Sequence, residues 1–99
     1  MNLRDVYVIE GEEPTDEMGY YKSVQHAINS GAWSLQGSYG RTMMGAIESG
    51  HCVLGRNSAR DYWGNRIPAR DEVMPGTKGS VEYVAERMGA EWAEAIAAE

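Results

Sequence analysis

The chain has no phenylalanine, one cysteine, three prolines and two histidines among its 99 residues. Each scarcity excludes something. A lone Cys52 cannot close an internal disulfide. His26, His51 and Cys52 are the only soft metal ligands, short of the three or four that a structural zinc site gathers at recognisable spacing. Nucleophilic catalysis would need Cys52 or a serine beside a histidine and an orienting acid. His51 precedes Cys52 directly, and strand neighbours point to opposite faces. No apolar run approaches the roughly 18 residues of a membrane span, and no charged stretch leads into an apolar one as in a secretory signal. The expectation is a cytoplasmic protein that is not an enzyme and has no catalytic residues, no metal and no cofactor.

The missing phenylalanine shifts the core onto three Trp, six Tyr and six Met. Tyr and Trp need a partner for their polar atom when buried, which favours half-buried positions and interfaces. Methionine adapts its shape and suits either a core gap or a surface that must fit a partner.

Charge is present in quantity but segregated. Residues 41–70 carry Arg41, Arg56, Arg60, Arg66 and Arg70 against Glu48 and Asp61, a local +3. Residues 1–40 are at −4 and residues 71–99 at −5, for a formal net charge of −6. An arginine-only middle that also holds Tyr62 and Trp63 lies between acidic ends. Such asymmetry concerns partners and solubility, not fold.

Along the chain, residues 4–9 read as a strand and Glu10–Met18 as an acidic loop. Tyr20, Tyr21, Val24, Ala27 and Ile28 share one helical face, predicting a helix over 19–30 stopped at Gly31. A second helix is expected over 39–49, with Ser38 as N-cap and Gly50 as stop. The similarity of Ala27–Gly31 to Ala46–Gly50 reads as two like helix ends. Residues 51–54 form a strand candidate. Residues 55–79 are rich in Gly, Pro and Arg, with a tight hairpin around Tyr62–Ile67 turned by Gly64-Asn65 and a type II turn at Pro75-Gly76. Val81, Val84, Ala85, Met88, Trp92, Ala95 and Ile96 mark a final helix capped by Ser80, which Gly89 either interrupts by close packing or splits in two. Together these predict a single α+β domain over residues 1–99: a small antiparallel sheet from 4–9, 51–54 and the 60–68 hairpin, covered by about three helices.

Gly76-Thr77-Lys78-Gly79-Ser80 invites comparison with a phosphate loop. That pattern places Lys after the last Gly and follows it with Ser or Thr, whereas Lys78 precedes Gly79. A turn and helix cap is the expectation.

Two functional readings use the same residues. Arg, Tyr, Trp and Met are enriched at protein interfaces, so Arg56, Arg60, Tyr62, Trp63, Arg66 and Arg70 are first candidates for contact with a protein partner. The acidic loop, through Glu12, Glu13, Asp16 and Glu17, is the second. The alternative is a winged-helix nucleic-acid binder whose wing carries Arg56, Arg60 and Arg66, with Tyr62 and Trp63 stacking on bases. The acid balance and a second helix with Arg41 as its only base weigh against it.

Leu35-Gln36-Gly37-Ser38-Tyr39-Gly40-Arg41, Ala46–Gly50, Asp61-Tyr62-Trp63-Gly64-Asn65 and Pro75–Ser80 resemble small accessory proteins of tailed bacteriophages, a likeness spanning residues 20–92. The resemblance implies a host-takeover role in the cytoplasm of a bacterial cell: inhibition or redirection of a host machine such as a CRISPR surveillance complex, a restriction enzyme or RNA polymerase. It implies no catalytic residues.

Overall fold

The computed structural model describes residues 1–35 and 37–99. Gln36, inside the Leu35–Arg41 run, lies outside the described residues. The first departure from expectation is at residues 4–9, which form a helix, α1 (Leu3–Ile9), and no strand. Its β-branched residues suggest extended chain, but Asn2 and Asp5 close a reciprocal capping box. The Asn2 side chain accepts from the Asp5 amide at 2.9 Å, and the Asp5 carboxylate accepts from the Asn2 amide at 3.0 Å. The buried residues of the segment are Asp5 and Val8, a helical spacing and not an alternation.

α2 (Glu17–Asn29) starts where Asp16 accepts from the Gly19 amide at 2.8 Å, and it buries Val24, Ala27 and Ile28 as its periodicity predicts. A 3-10 turn at Ala32–Ser34 drives Trp33 into the core, where it is 3% exposed. α3 (Gly37–Glu48) then packs on α2. Ser38, expected as its cap, lies within its first turn and is exposed.

Residues 51–54 do not form the expected strand: His51 and Cys52 lie in a bend whose amides bond the Ala46 carbonyl, and among the described residues Val53 and Leu54 pair with no strand. Their backbone groups are met from elsewhere. Gln25, fully buried, accepts from the Val53 amide through Oε1 and donates to the Val53 carbonyl through Nε2, both at 2.9 Å. The Leu54 amide bonds the Gly79 carbonyl at 3.0 Å, and the Leu54 carbonyl accepts from Arg70 Nε at 2.8 Å. A side-chain amide thus takes the place of a strand neighbour.

The sheet among the described residues is one hairpin, β1 (Ala59–Arg60) against β2 (Arg66–Ile67), with Ala59 opposite Ile67 and Arg60 opposite Arg66. The final amphipathic stretch is split into α4 (Val81–Met88) and α5 (Ala90–Ala97). Gly89, at φ 95° and ψ 160°, occupies a region essentially restricted to glycine. Ser80 caps α4 as expected. Among the described residues, five α-helices and one two-stranded hairpin therefore replace the expected three-part sheet under about three helices. No helix among the described residues is long and apolar enough to cross a membrane.

The core has two lobes. Val24, Ala27, Ile28, Trp33, Met43 and Ile47 fill the first, and Val53, Val84, Ala93 and Ile96 the second. Tyr21 of α2 packs against both. This arrangement leaves the hairpin tip standing beyond the first lobe, next to the start of α3.

Candidate binding surface

The hairpin tip is built by Asp61. Its Oδ1 accepts from the amides of Trp63 at 2.9 Å and Asn65 at 2.8 Å, and its Oδ2 accepts from the Asn65 side chain at 3.3 Å. The Gly64 amide bonds the Asp61 carbonyl at 3.0 Å, and the Asp61 amide bonds the Asn65 carbonyl at 2.9 Å. These bonds define a three-residue loop, Tyr62–Trp63–Gly64, with Gly64 at φ 85° in the left-handed position that such loops require. Asn65 has no positive φ, so the turn needs one glycine and not a Gly-Asn pair. Arg60 braces the loop by donating to the Gly64 carbonyl at 3.0 Å.

The result is a braced tip presenting two aromatics to solvent. Trp63 is 77% exposed and Tyr62 57%, with their rings edge-to-face at 4.9 Å. Burying such rings elsewhere would stabilise the fold by a few kcal/mol each. The three tryptophans divide the roles that composition left open. Trp33 is core, and Trp92 is half-buried with its indole donating to the His51 carbonyl at 2.9 Å. Trp63 faces outward.

Beside the tip lies a cleft of about 260 Å³. Trp33, Leu35, Met44 and Ile67 make it apolar, Tyr62 and Trp63 form one wall, and Gly37, Gly40 and Arg41 of α3 form the other. Gly37, Gly40 and Met44 follow at i, i+3 and i+7, so one helical face with little side-chain bulk borders the recess. A β-carbon on Gly40 would enter open space. Arg41 makes no ion pair among the described residues.

The sequence singled out Tyr62 and Trp63 but missed the opposite wall. The signal was available: Gly37, Gly40 and Met44 share one face of α3, with Arg41 directly after the second glycine. Of the other arginines, Arg60 and Arg66 are on the hairpin, and Arg66 pairs with Glu72. The Ala69 amide and then Arg66 hold the Glu72 carboxyl below its usual value. Arg56 and Arg70 lie elsewhere, at the end of α5. Arg56 donates to the Ala97 carbonyl at 3.1 Å and the Glu99 carbonyl at 3.2 Å, and Arg70 reaches Ala97 at 3.3 Å as well as Leu54. Cations on C-terminal carbonyls complement the helix dipole. Burial first, and Arg56 second, lower the pKa of Arg70.

The acidic candidates are also dispersed. Asp16 is the cap of α2, Glu13 pairs with Arg4 at 3.2 Å, Glu17 lies 3.6 Å from His51 Nε2, and Glu12 is exposed. None borders the cleft.

The remaining chemical candidates have structural occupations. Ser49 Oγ lies 3.1 Å from the Ala46 carbonyl and 2.6 Å from His51 Nδ1, so Ser49, His51 and Glu17 form a chain. The serine hydroxyl reaches both a backbone carbonyl and the imidazole, and the His51 tautomer decides which of them takes its proton. Burial pushes the Cys52 thiol up to about 12, far from a reactive thiolate. Ser80 Oγ accepts from the amides of Gly76 and Tyr83 and donates to the Thr77 carbonyl, closing the 76–80 turn on itself. Among the described residues no three His, Cys, Asp or Glu side chains could hold a metal ion.

His26 joins three parts of the chain. Its Nδ1 lies 3.0 Å from Asp5 and its Nε2 2.7 Å from Glu99, so both ring nitrogens face carboxylates and both donate when the ring is charged. Burial opposes that charge, but the hydrogen bonds to Asp5 and Glu99 outweigh it and raise the His26 pKa. Burial likewise opposes the Asp5 charge, while the Asn2 amide and His26 bring its pKa below the usual value.

No family model matches this chain, and no curated protein or solved structure is significantly similar to it.

Proposed function

We propose that this protein is a non-catalytic binding module that attaches to a partner protein through the hairpin tip and the adjoining cleft. The observation that carries the reading is Trp63. It is 77% exposed on a loop that Asp61 and Arg60 hold in one shape. An exposed tryptophan on a hydrogen-bonded loop beside an apolar recess supplies contact area with little backbone ordering cost, the character of an interface hot spot. Following the resemblance to phage accessory proteins, the partner is a host complex that handles nucleic acid, and the role is inhibition or modulation, as in anti-CRISPR or anti-restriction proteins. The test is capture from a bacterial lysate by tagged chain, with nuclease. The expected result is a stoichiometric protein that survives nuclease and is absent from a Trp63→Ala bait.

A second reading is favoured by the element order. Two helices, α2 and α3, are followed by a hairpin carrying Arg60 and Arg66, as in a winged helix. The outward residues of α3 are Ser38, Arg41, Gly45 and Glu48, which offer one base for a groove. On this reading affinity for duplex DNA falls by about 0.9 log unit per log unit of salt for each phosphate neutralised. Salt-independent capture would refute it.

A further inference from the structure

The occupant of the cleft can be specified more closely from its size and charge, on the reading that the hairpin tip is the binding surface. The apolar recess, at about 260 Å³, is smaller than the roughly 300–1,000 Å³ of pockets that enclose a drug-sized molecule and suits one side chain, while the adjoining recess of about 440 Å³ has room for the segment that carries it. The floor and walls of the smaller recess are apolar, and it borders two charged residues, Asp61 and Arg41. The Asp61 carboxylate is committed to three hydrogen bonds inside the hairpin. Arg41 is exposed, pairs with no carboxylate among the described residues, and lines both the cleft and the wider recess that continues from it past Ser38.

We propose that the cleft receives a short acidic segment of the partner protein, with one leucine- or phenylalanine-sized side chain seated against Trp33 and Met44 and a neighbouring carboxylate paired to Arg41. The local charge agrees. Around the tip and the start of α3, Arg41, Arg60 and Arg66 stand against Asp61 and the Glu72 that pairs with Arg66, a local +1 in a chain of net −6, so an acidic segment is tolerated here better than elsewhere. Apolar burial supplies affinity, and the exposed ion pair supplies orientation and selectivity.

The probe is a blocked peptide, Gly-Glu-Asp-Leu-Phe-Asp-Glu-Gly, titrated into the full chain labelled with nitrogen-15. The amides of Gly37 and Gly40 and the Trp63 indole should shift with a common saturation curve. Arg41→Gln should weaken binding about threefold, as an exposed ion pair allows, and Gly40→Leu, whose side chain enters the open cleft, should abolish the shifts in a folded protein. A peptide with Gln and Asn in place of its carboxylates should bind more weakly, and one with Lys should not bind. Equal binding of the neutral or lysine peptide, or shifts confined to other elements, would overturn the proposal. So would the same resonances responding to oligothymidylate instead, or a dimer of the chain alone that Arg41→Gln dissolves. If Trp63→Ala loses the captured partner while no acidic peptide binds, the interface stands and its occupant does not. If the partner is retained by Trp63→Ala, the interface itself is wrong and the proposal falls with it.

Discussion

Replacing Gln25 by Met keeps most of the side-chain volume and removes both hydrogen bonds to Val53. In the native protein Gln25 is fully buried, and it is the partner of the Val53 amide and of the Val53 carbonyl, each at 2.9 Å. An unmet buried polar group costs about 1–3 kcal/mol, so stranding two costs about 2–6 kcal/mol. A domain of this size is stable by about 5–15 kcal/mol, and each kcal/mol shifts the midpoint by about 4–8 °C. The expected outcome in thermal unfolding is a midpoint lower by at least about 8 °C. Hydrogen exchange supplies the local readout: the Val53 amide, slow in the native chain, becomes fast in Gln25→Met. The reasoning is refuted if the variant loses less than about 1 kcal/mol and keeps that amide protected, because the Gln25 hydrogen bonds would then contribute nothing to holding Val53.

Gly89→Ala should destabilise the protein by about 1–3 kcal/mol in urea unfolding, since φ 95° with ψ 160° excludes a β-carbon; helix propensity alone calls for a gain of about 1 kcal/mol, so the sign decides. The Asp5–His26–Glu99 tie sets a pH dependence. With the His26 pKa raised, its stabilisation is full below its ordinary 6.5 and is lost as pH rises through the higher folded value. With the Asp5 pKa lowered, its share is present above its ordinary 3.8 and is lost as pH falls through the lower folded value. Denaturation midpoints should be highest between these limits, and His26→Gln should flatten the alkaline limb. Cys52 should react with a thiol reagent in denaturant and resist it in the native state; fast native reaction would contradict its burial.

The helices were legible where the apolar period ran long. Tyr20 to Ile28 and Val81 to Ile96 share single faces, and both segments are helical, the latter broken where Gly89 stands. The hairpin was legible from Gly64 and its flanks. Residues 4–9 look extended because three β-branched residues outweigh the cap that begins at Asn2, and it is that cap which makes them helical. Residues 51–54 look like a strand because they form a short apolar run, but His51 and Cys52 lie in a bend and Val53 is held by a glutamine 28 positions earlier, which no local pattern announces. Tyr62 and Trp63 were visible as candidates from composition. The wall facing them shows in the sequence as the shared face of Gly37, Gly40 and Met44 beside Arg41, a faint signal because glycines carry no side chain that points to a ligand. Arg56 and Arg70 were grouped with the hairpin by sequence proximity, whereas the chain turns after Ile67 and carries Arg70 to the carbonyls at the end of α5.

The most direct measurement of the central claim is photocrosslinking from defined positions. A benzophenone amino acid replaces Trp63, Tyr7 or Glu12 in turn, and the tagged chain is irradiated in a bacterial lysate treated with nuclease. Tyr7 tests the exposed face of α1, and Glu12 tests the acidic loop. The account predicts one discrete protein adduct from position 63 and none from the other two. Adducts from position 7 or 12, with position 63 silent, would contradict it.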